Sequence, residues 1–283
     1  MAAKKARKKA PKKKRKNPGK GRRSMAERAD RHVLYQQAVQ DPEYDVQFLQ
    51  EVYQKVRKRR PHHLREDFCG TALLCAHWVR LGEDFSAEGF DLHAPTLRWG
   101  TKHNLEPLGE AAERIVLHQE DVRSPGRRPA DVICAQNFSY QVFHHRAEML
   151  EYLQAVHRNL AEDGVFVMDM YGGWEAVEDL EEERWIDDEI LYVWDQVSYE
   201  PVTGRQRCAI HFRFGDGSEV HNAFVYDWRH WSMVEMRELL LEVGFERVDA
   251  WFEELDKDGD GTGEFKRSRK GINCEGWLAY LVA

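Results

Sequence analysis

Residues Leu64 to Arg80, LREDFCGTALLCAHWVR, constrain the fold of this chain more than any other stretch. An acidic pair leads into Cys69-Gly70-Thr71, after which Leu73, Leu74, Trp78 and Leu81 recur at helical spacing until Gly82 ends the run. The pattern predicts strand, tight turn and helix. Gly70 lets the backbone approach a ligand where a Cβ would obstruct it. Thr71 can cap a helix over 71–81 whose amide-rich start favours a carboxylate or phosphate. Such a turn is an entrance for a nucleotide-type cofactor.

The alternation continues downstream. A second strand, SAEGFD, ends at Asp91, and Pro95 suits the first turn of the next helix. The run RIVLHQ leads to Glu120-Asp121-Val122, and DVICAQNF leads to Ser139-Tyr140. A helix over 145–160 carries Met149, Leu150, Leu153, Val156 and Leu160 on one face, and a fifth strand, VFVMDMYG, follows the Asp163-Gly164 turn. Repeated strand-helix units with runs apolar on both faces predict a parallel sheet. After Tyr171 come an acidic stretch, 175–188, and three alternating runs near 190–199, 206–214 and 219–228, an antiparallel meander. Ser232 and Glu235 then form a capping box for a helix that Gly244 stops. Two closing strands, ERVDAWFEE and EGWLAYLVA, flank a polar loop.

The turn after the first strand resembles the first motif of the class I S-adenosylmethionine-dependent methyltransferases: an acid, an apolar residue, then Gly-x-Gly-x-Gly. Glu66 takes the acidic place and Cys69-Gly70-Thr71 the middle, while Phe68 and Ala72 stand where the outer glycines would be. The resemblance implies an α/β fold: a seven-stranded Rossmann-like methyltransferase sheet with an antiparallel meander inserted before the last helix. An insertion at this place is similar to that of small-molecule N-methyltransferases of the glycine and sarcosine type. S-adenosyl-L-methionine is the cofactor implied.

Asp91 lies 25 residues after Glu66 at the end of the second strand, where a carboxylate can accept hydrogen bonds from both ribose hydroxyls. That spacing suits any nucleoside cofactor. By resemblance, Asp91 with the adjoining Leu92 belongs to the ribose end of the cofactor site. Asp121 and the Val122 amide take the adenine, with Glu120 competing for the acidic role. Asn137 and Phe138 line the methionine end. Ser139, Tyr140 and Tyr171, with His211 and Arg213 from the meander, are candidates for binding the acceptor. Methyl transfer needs orientation and water exclusion more than acid-base chemistry. If a proton must leave, Tyr140, His144, His145 and Tyr171 are available, and none is assigned as catalytic.

Charge divides the chain. Residues 1–24 hold thirteen of the 42 Lys and Arg and no acid, so the remainder carries 42 − 13 = 29 basic against 49 acidic residues, a net of −20. The basic tail is expected to be disordered. Residues 25–61 are expected to form a helical lid segment, and 62–283 the methyltransferase domain, with 175–229 as acidic linker and meander. The acidic body argues against a long nucleic-acid surface, leaving weak phosphate contacts to the tail and a small molecule as acceptor. RNA or protein acceptors, or a non-catalytic binding module, are the alternatives. A nicotinamide oxidoreductase is disfavoured because G-x-G-x-x-G is absent. No apolar run reaches membrane-spanning length, and five scattered cysteines form no CxxC pair, so a cytoplasmic protein without disulfides or zinc is expected. In a eukaryotic cell, Pro11 to Lys16 would read as a nuclear-import signal. Asp256, Asp258 and Asp260 imitate a calcium loop, but Arg267 stands where the twelfth ligand, a Glu, is needed.

Overall fold

The computed structural model describes residues 23–257 and 261–283; Asp258, Asp260 and the stretch Pro11 to Lys16 lie outside them. Three helices come first: α1 (Met25–Arg28), α2 (Arg31–Val39) and α3 (Pro42–Arg57). Asp41 caps α3 through the Tyr44 amide, Pro42 occupies its first turn, and Lys58 ends it in a left-handed conformation at φ 61°. Parallel strands follow: β1 (His63–Asp67), β2 (Ser86–Phe90), β3 (Ile115–His118), β4 (Ala130–Ala135) and β5 (Leu160–Gly172). Helices α4 (Leu73–Val79), α5 (Ala94–Gly100) and α6 (Arg146–Asn159) lie among the connections.

The strand order β11 (Gly261–Ser268), β10 (Asp249–Leu255), β12 (Trp277–Val282), β5, β4, β1, β2, β3 sets β1 inside the sheet, with the chain winding one way through β2 and β3 and the other way through β4 and β5. The carboxyl ends of β1 and β4 therefore part at a topological switch point, where open α/β sheets bind their ligands. Two apolar cores fill the faces: one joins α3 and α4, the other α6 and α7 (Met233–Val243).

β1 is an unusual central strand. All five residues are buried although four are polar or charged, and Arg65 and Asp67 neutralise each other at 2.8 Å. The Arg65 guanidinium also lies 3.9 Å from the centre of the Phe90 ring, and the Tyr152 hydroxyl donates to Asp67 at 3.1 Å. Without these partners the charges could not be buried.

The main sheet has eight strands, not seven. β12 (Trp277–Val282) runs antiparallel between β5 and β10 (Asp249–Leu255), and β11 (Gly261–Ser268), within the stretch that reads as a polar loop, pairs with β10 at the edge. Its Phe265 ring lies 5.8 Å from Phe48 and 4.7 Å from Tyr280, and Lys266 and Arg267 pair with Glu254 and Asp249 of β10. The meander likewise gains a strand. β6 (Leu180–Trp185), drawn from the acidic stretch, precedes β7 (Ile190–Glu200), β8 (Arg205–Phe214) and β9 (Glu219–Arg229) in one antiparallel sheet. Its Glu181 and Glu183 face Arg213 across the sheet, so the acidic run finds its counter-charge in strand form. The inner face of the meander, with Trp194, Ile210, Phe212 and Trp228, packs on α2 and on Phe138 and Tyr171 of the main sheet. No described helix is long and apolar enough to cross a membrane.

Candidate active site

The turn after β1 is built from alternate left-handed residues: Phe68 at φ 59°, Gly70 at 53° and Ala72 at 54°. These are the three glycine places of the motif, so the backbone keeps its path where two glycines are missing. The Cys69 amide donates to the Phe90 carbonyl at 2.9 Å and the Gly70 amide to Asp91 Oδ2 at 2.9 Å, joining the ends of β1 and β2. Asp91 Oδ1 accepts from the His93 amide at 2.7 Å. Each oxygen has capacity left for a ligand hydroxyl. Gly100 approaches the same turn so closely that a Cβ there would sit 2.2 Å from the Thr71 carbonyl oxygen.

Thr71 does not cap α4. Ala72, left-handed, occupies the cap position without a side-chain bond, which turns the Thr71 hydroxyl away to accept from Gln36 Nε2 of α2 at 2.9 Å. The carboxylate at the start of α4 is the protein's own: Glu66 Oε2 accepts from the Cys75 amide at 3.2 Å and from its thiol at 3.0 Å. Burial pushes the Glu66 carboxyl up to about 8 against those two bonds. Cys69 is buried beneath the turn, its sulfur close to Gly89.

Beyond β2, Leu92 is 67% exposed at the rim. Beyond β3, the Asp121 carboxylate receives Arg123 Nε and Nη2 at 2.8 Å each, which holds its pKa below the ordinary range. Val122 is buried and its carbonyl accepts from Arg65, so the backbone at this strand end is fixed from within. Glu120 is exposed with no bond that competes for the place.

Beyond β4, Asn137 and Phe138 are again left-handed, at φ 57° and 58°. Their amides donate to Asp169 of β5 at 2.7 and 2.9 Å, which stabilises this strained pair. Asp169 is pushed up to about 6 by burial, against the two amide bonds. Asp45 of α3 is pushed up to about 7 by burial and then by the charge of Asp169. Asp45 and Asp169 are half-buried and Glu66 is buried, so the three gather acid beside the switch point. Asp45 and Asp169 escaped the sequence reading, although each carries a signal: a lone acid on an apolar helix face, and one inside the run VFVMDMYG.

The acceptor candidates separate. Phe138 meets Tyr171 edge-on with centroids 4.7 Å apart, Tyr140 is fully buried beside them, and the Ser139 hydroxyl closes on the Gln136 carbonyl. His211 and Arg213 are not brought to the crevice. Strand alternation sends them to the outer face of the meander, opposite Ile210 and Phe212. There His211 accepts the Asn222 amide at Nδ1, 2.8 Å, and lies 3.3 Å from Asp195, while Arg213 is held by Glu181, Glu183 and Glu219. His211, Glu219 and His221 place ligand atoms within 4.8 Å of one another, but the His211 ring nitrogens are both engaged, so the group suits no metal. His144 lies against the Asp227 carbonyl, and His145 is exposed at the start of α6.

No protein-family profile and no curated protein sequence matches the chain. Solved structures do. A S-adenosylmethionine-dependent methyltransferase from Clostridium acetobutylicum is 17% identical, covering 88% of this chain and 96% of its own at a TM-score of 0.62. An S-adenosylmethionine-bound amino pentose methyltransferase of calicheamicin biosynthesis, from Micromonospora echinaspora, is 15% identical over 88% and 95%, at 0.63. A sugar N-methyltransferase from Streptoalloteichus is 20% identical over 90% and 92%, at 0.59. The chain therefore has the fold of these S-adenosylmethionine-dependent methyltransferases.

Proposed function

We propose that this protein is an S-adenosylmethionine-dependent methyltransferase acting on a small-molecule acceptor. The observation that carries the reading is the turn at the switch point: three alternate left-handed residues, with the Gly70 amide tied to the Asp91 carboxylate. In this reading Asp91 receives the ribose hydroxyls, Asp121 and the Val122 amide receive the adenine, and Asn137 and Phe138 border the methionine end. Glu66, Cys69, Gly70, Thr71 and Leu92 complete the cradle. The cofactor would supply a methyl group on a positively charged sulfur. The protein's share is orientation, and Asp169, with Asp45 beside it, gives the crevice the negative charge that a cation needs, while the buried Glu66 carboxyl keeps its proton.

A small acceptor is supported by the meander, which covers the carboxyl ends of the strands, and by the solved structures of similar fold that act on an amino pentose and on sugars. The test has two parts. Calorimetry with S-adenosylmethionine, S-adenosylhomocysteine and the nicotinamide dinucleotides should show binding of the first two alone. Radiolabel from the cofactor methyl should then enter a small-metabolite extract. Label confined to RNA or protein fractions would move the acceptor to a macromolecule.

A further inference from the structure

Where the main sheet meets the meander, three polar atoms are buried without a hydrogen-bond partner: the Tyr140 hydroxyl, Gln141 Oε1 and His230 Nδ1. They gather round Tyr171. Its ring lies 5.3 Å from that of His230, and the Gln141 side chain stands beside both the Tyr171 and the Tyr140 hydroxyls. Tyr140 and Gln141 sit on the short 3-10 turn Ser139–Val142 beyond β4, while His230 follows β9, its amide fixed on the Gly204 carbonyl at 2.8 Å. A buried polar group without a partner costs stability, and three in one place call for something that fills them.

We propose that Tyr140, Gln141 and His230 form the subsite for a primary amine on the acceptor, with His230 accepting its proton; this rests on the methyltransferase reading. The atoms match an amine better than an alcohol. Gln141 Oε1 only accepts, and His230 Nδ1 accepts when the ring hydrogen is on Nε2. A primary amine gives one N–H to each and keeps its lone pair for the methyl carbon, whereas a hydroxyl has one hydrogen and leaves an acceptor bare. The Tyr140 hydroxyl remains for a neighbouring oxygen of the acceptor. As the N–C bond forms, the electrons of the C–S bond go to sulfur, and the proton on the new ammonium passes to His230 Nδ1.

The surroundings keep His230 ready for this. Burial lowers its pKa, partly offset by Glu235 of α7, which is itself paired with Arg229 at 3.0 Å. Tyr171 faces it from β5, and burial raises that phenol well above its ordinary range, so no further charge confronts the ring from the main sheet. Access runs along the seam. The Tyr171 hydroxyl donates to Gln206 of β8 at 2.8 Å, and Gln206 in turn donates to the Ala176 carbonyl. Lifting the meander breaks that link and opens the cluster.

Tyr140→Phe removes only the unpartnered hydroxyl. It should raise the melting temperature by about 2–4 °C while transfer of label into the small-metabolite fraction falls about tenfold or more. His230→Asn should leave S-adenosylhomocysteine affinity unchanged, lower transfer about a hundredfold and abolish the acid limb of the pH–rate profile. A His230→Asn protein within threefold of wild type that keeps the acid limb would overturn the proposal, as would a Tyr140→Phe protein with unchanged transfer. Wild-type protein that binds no cofactor would refute the methyltransferase reading; wild-type protein that binds cofactor but labels no small molecule would refute the acceptor assignment. Either result takes the subsite with it, and each is distinct from retained transfer in the variants.

Discussion

Glu66→Gln should stabilise the protein at neutral pH and remove part of its pH dependence. The Glu66 side chain is buried, and its carboxyl titrates at about 8 when folded against 4.5 when exposed. Burial is the main cause, and the Cys75 amide and thiol bonds only partly compensate. The sign follows from proton counts. Between these two pH values the unfolded chain has released the proton while the folded chain keeps it, so unfolding grows more favourable as pH rises. The slope is about 1.4 kcal/mol per pH unit, or about 3 kcal/mol accumulated by pH 7. Glutamine carries no charge at any pH, yet its carbonyl can still accept from Cys75. Urea melts of wild type and Glu66→Gln at pH 5, 6, 7 and 8 should therefore show a stability difference that widens with pH. Asp45, whose charge adds to the rise at Glu66, titrates in both proteins, so the difference reports Glu66 together with its coupling to Asp45. A difference constant across that range would refute the reasoning and place an ionised carboxylate in the site at neutral pH.

Asp91→Asn should weaken S-adenosylhomocysteine binding by about 1.5–3 kcal/mol, a ten- to hundredfold rise in Kd by calorimetry, through loss of charge-assisted hydrogen bonds; unchanged affinity in folded protein removes Asp91 from the site. Glu88 behaves oppositely to Glu66: burial opposes its charge, but bonds from His63, the Arg127 amide and His118 outweigh it and hold its carboxyl down at about 2. Acid titration of stability should accordingly show a loss between pH 4.5 and about 2 that Glu88→Gln lacks, and matching acid curves would remove Glu88 from the account. Arg213→Ala, on the outer face of the meander, should leave cofactor affinity and label transfer within twofold of wild type, since the side chain is held there by Glu181, Glu183 and Glu219; a fall of tenfold in transfer would return Arg213 to the acceptor site.

Much of the parallel sheet was legible because its strands obey local rules. Buried parallel strands read as apolar runs, and helix ends carry caps, as at Ser232 with Glu235. What escaped depends on partners distant in sequence. β6 and β11 are edge strands whose pairing is set by Arg213 and by the aromatic group round Phe48, and neither contact is visible in the local pattern. The meander's alternation correctly split β8 into two faces, but alternation carries no information about which face meets the crevice. The apolar face did so, with Ile210 and Phe212, because α2, Phe138 and Tyr171 offer an aromatic surface there. Choosing polar residues as ligands therefore sent His211 and Arg213 to the wrong side. His230 lacked any motif, and only its bare Nδ1 in the folded chain marks it.

Phe68 and Ala72 show how far a motif's letters can drift while its geometry stays. A left-handed residue with a Cβ costs about 1–2 kcal/mol relative to glycine. Here each side chain returns something for that strain. Ala72 is fully buried in the core beneath α4, where its methyl contributes about 0.8 kcal/mol, and a glycine would lose further through the greater freedom of the unfolded chain. The Phe68 ring lies 6.0 Å from Phe143 and 5.7 Å from Tyr152, filling the space between the turn and α6. Packing thus offsets strain at both places, and the turn needs glycine only at Gly70, where φ is positive and the nearest side-chain atom to a Cβ would be 3.9 Å away. A Cβ there would gain only that one ordinary contact, with the Thr96 methyl, which is too little to offset the strain of a left-handed residue.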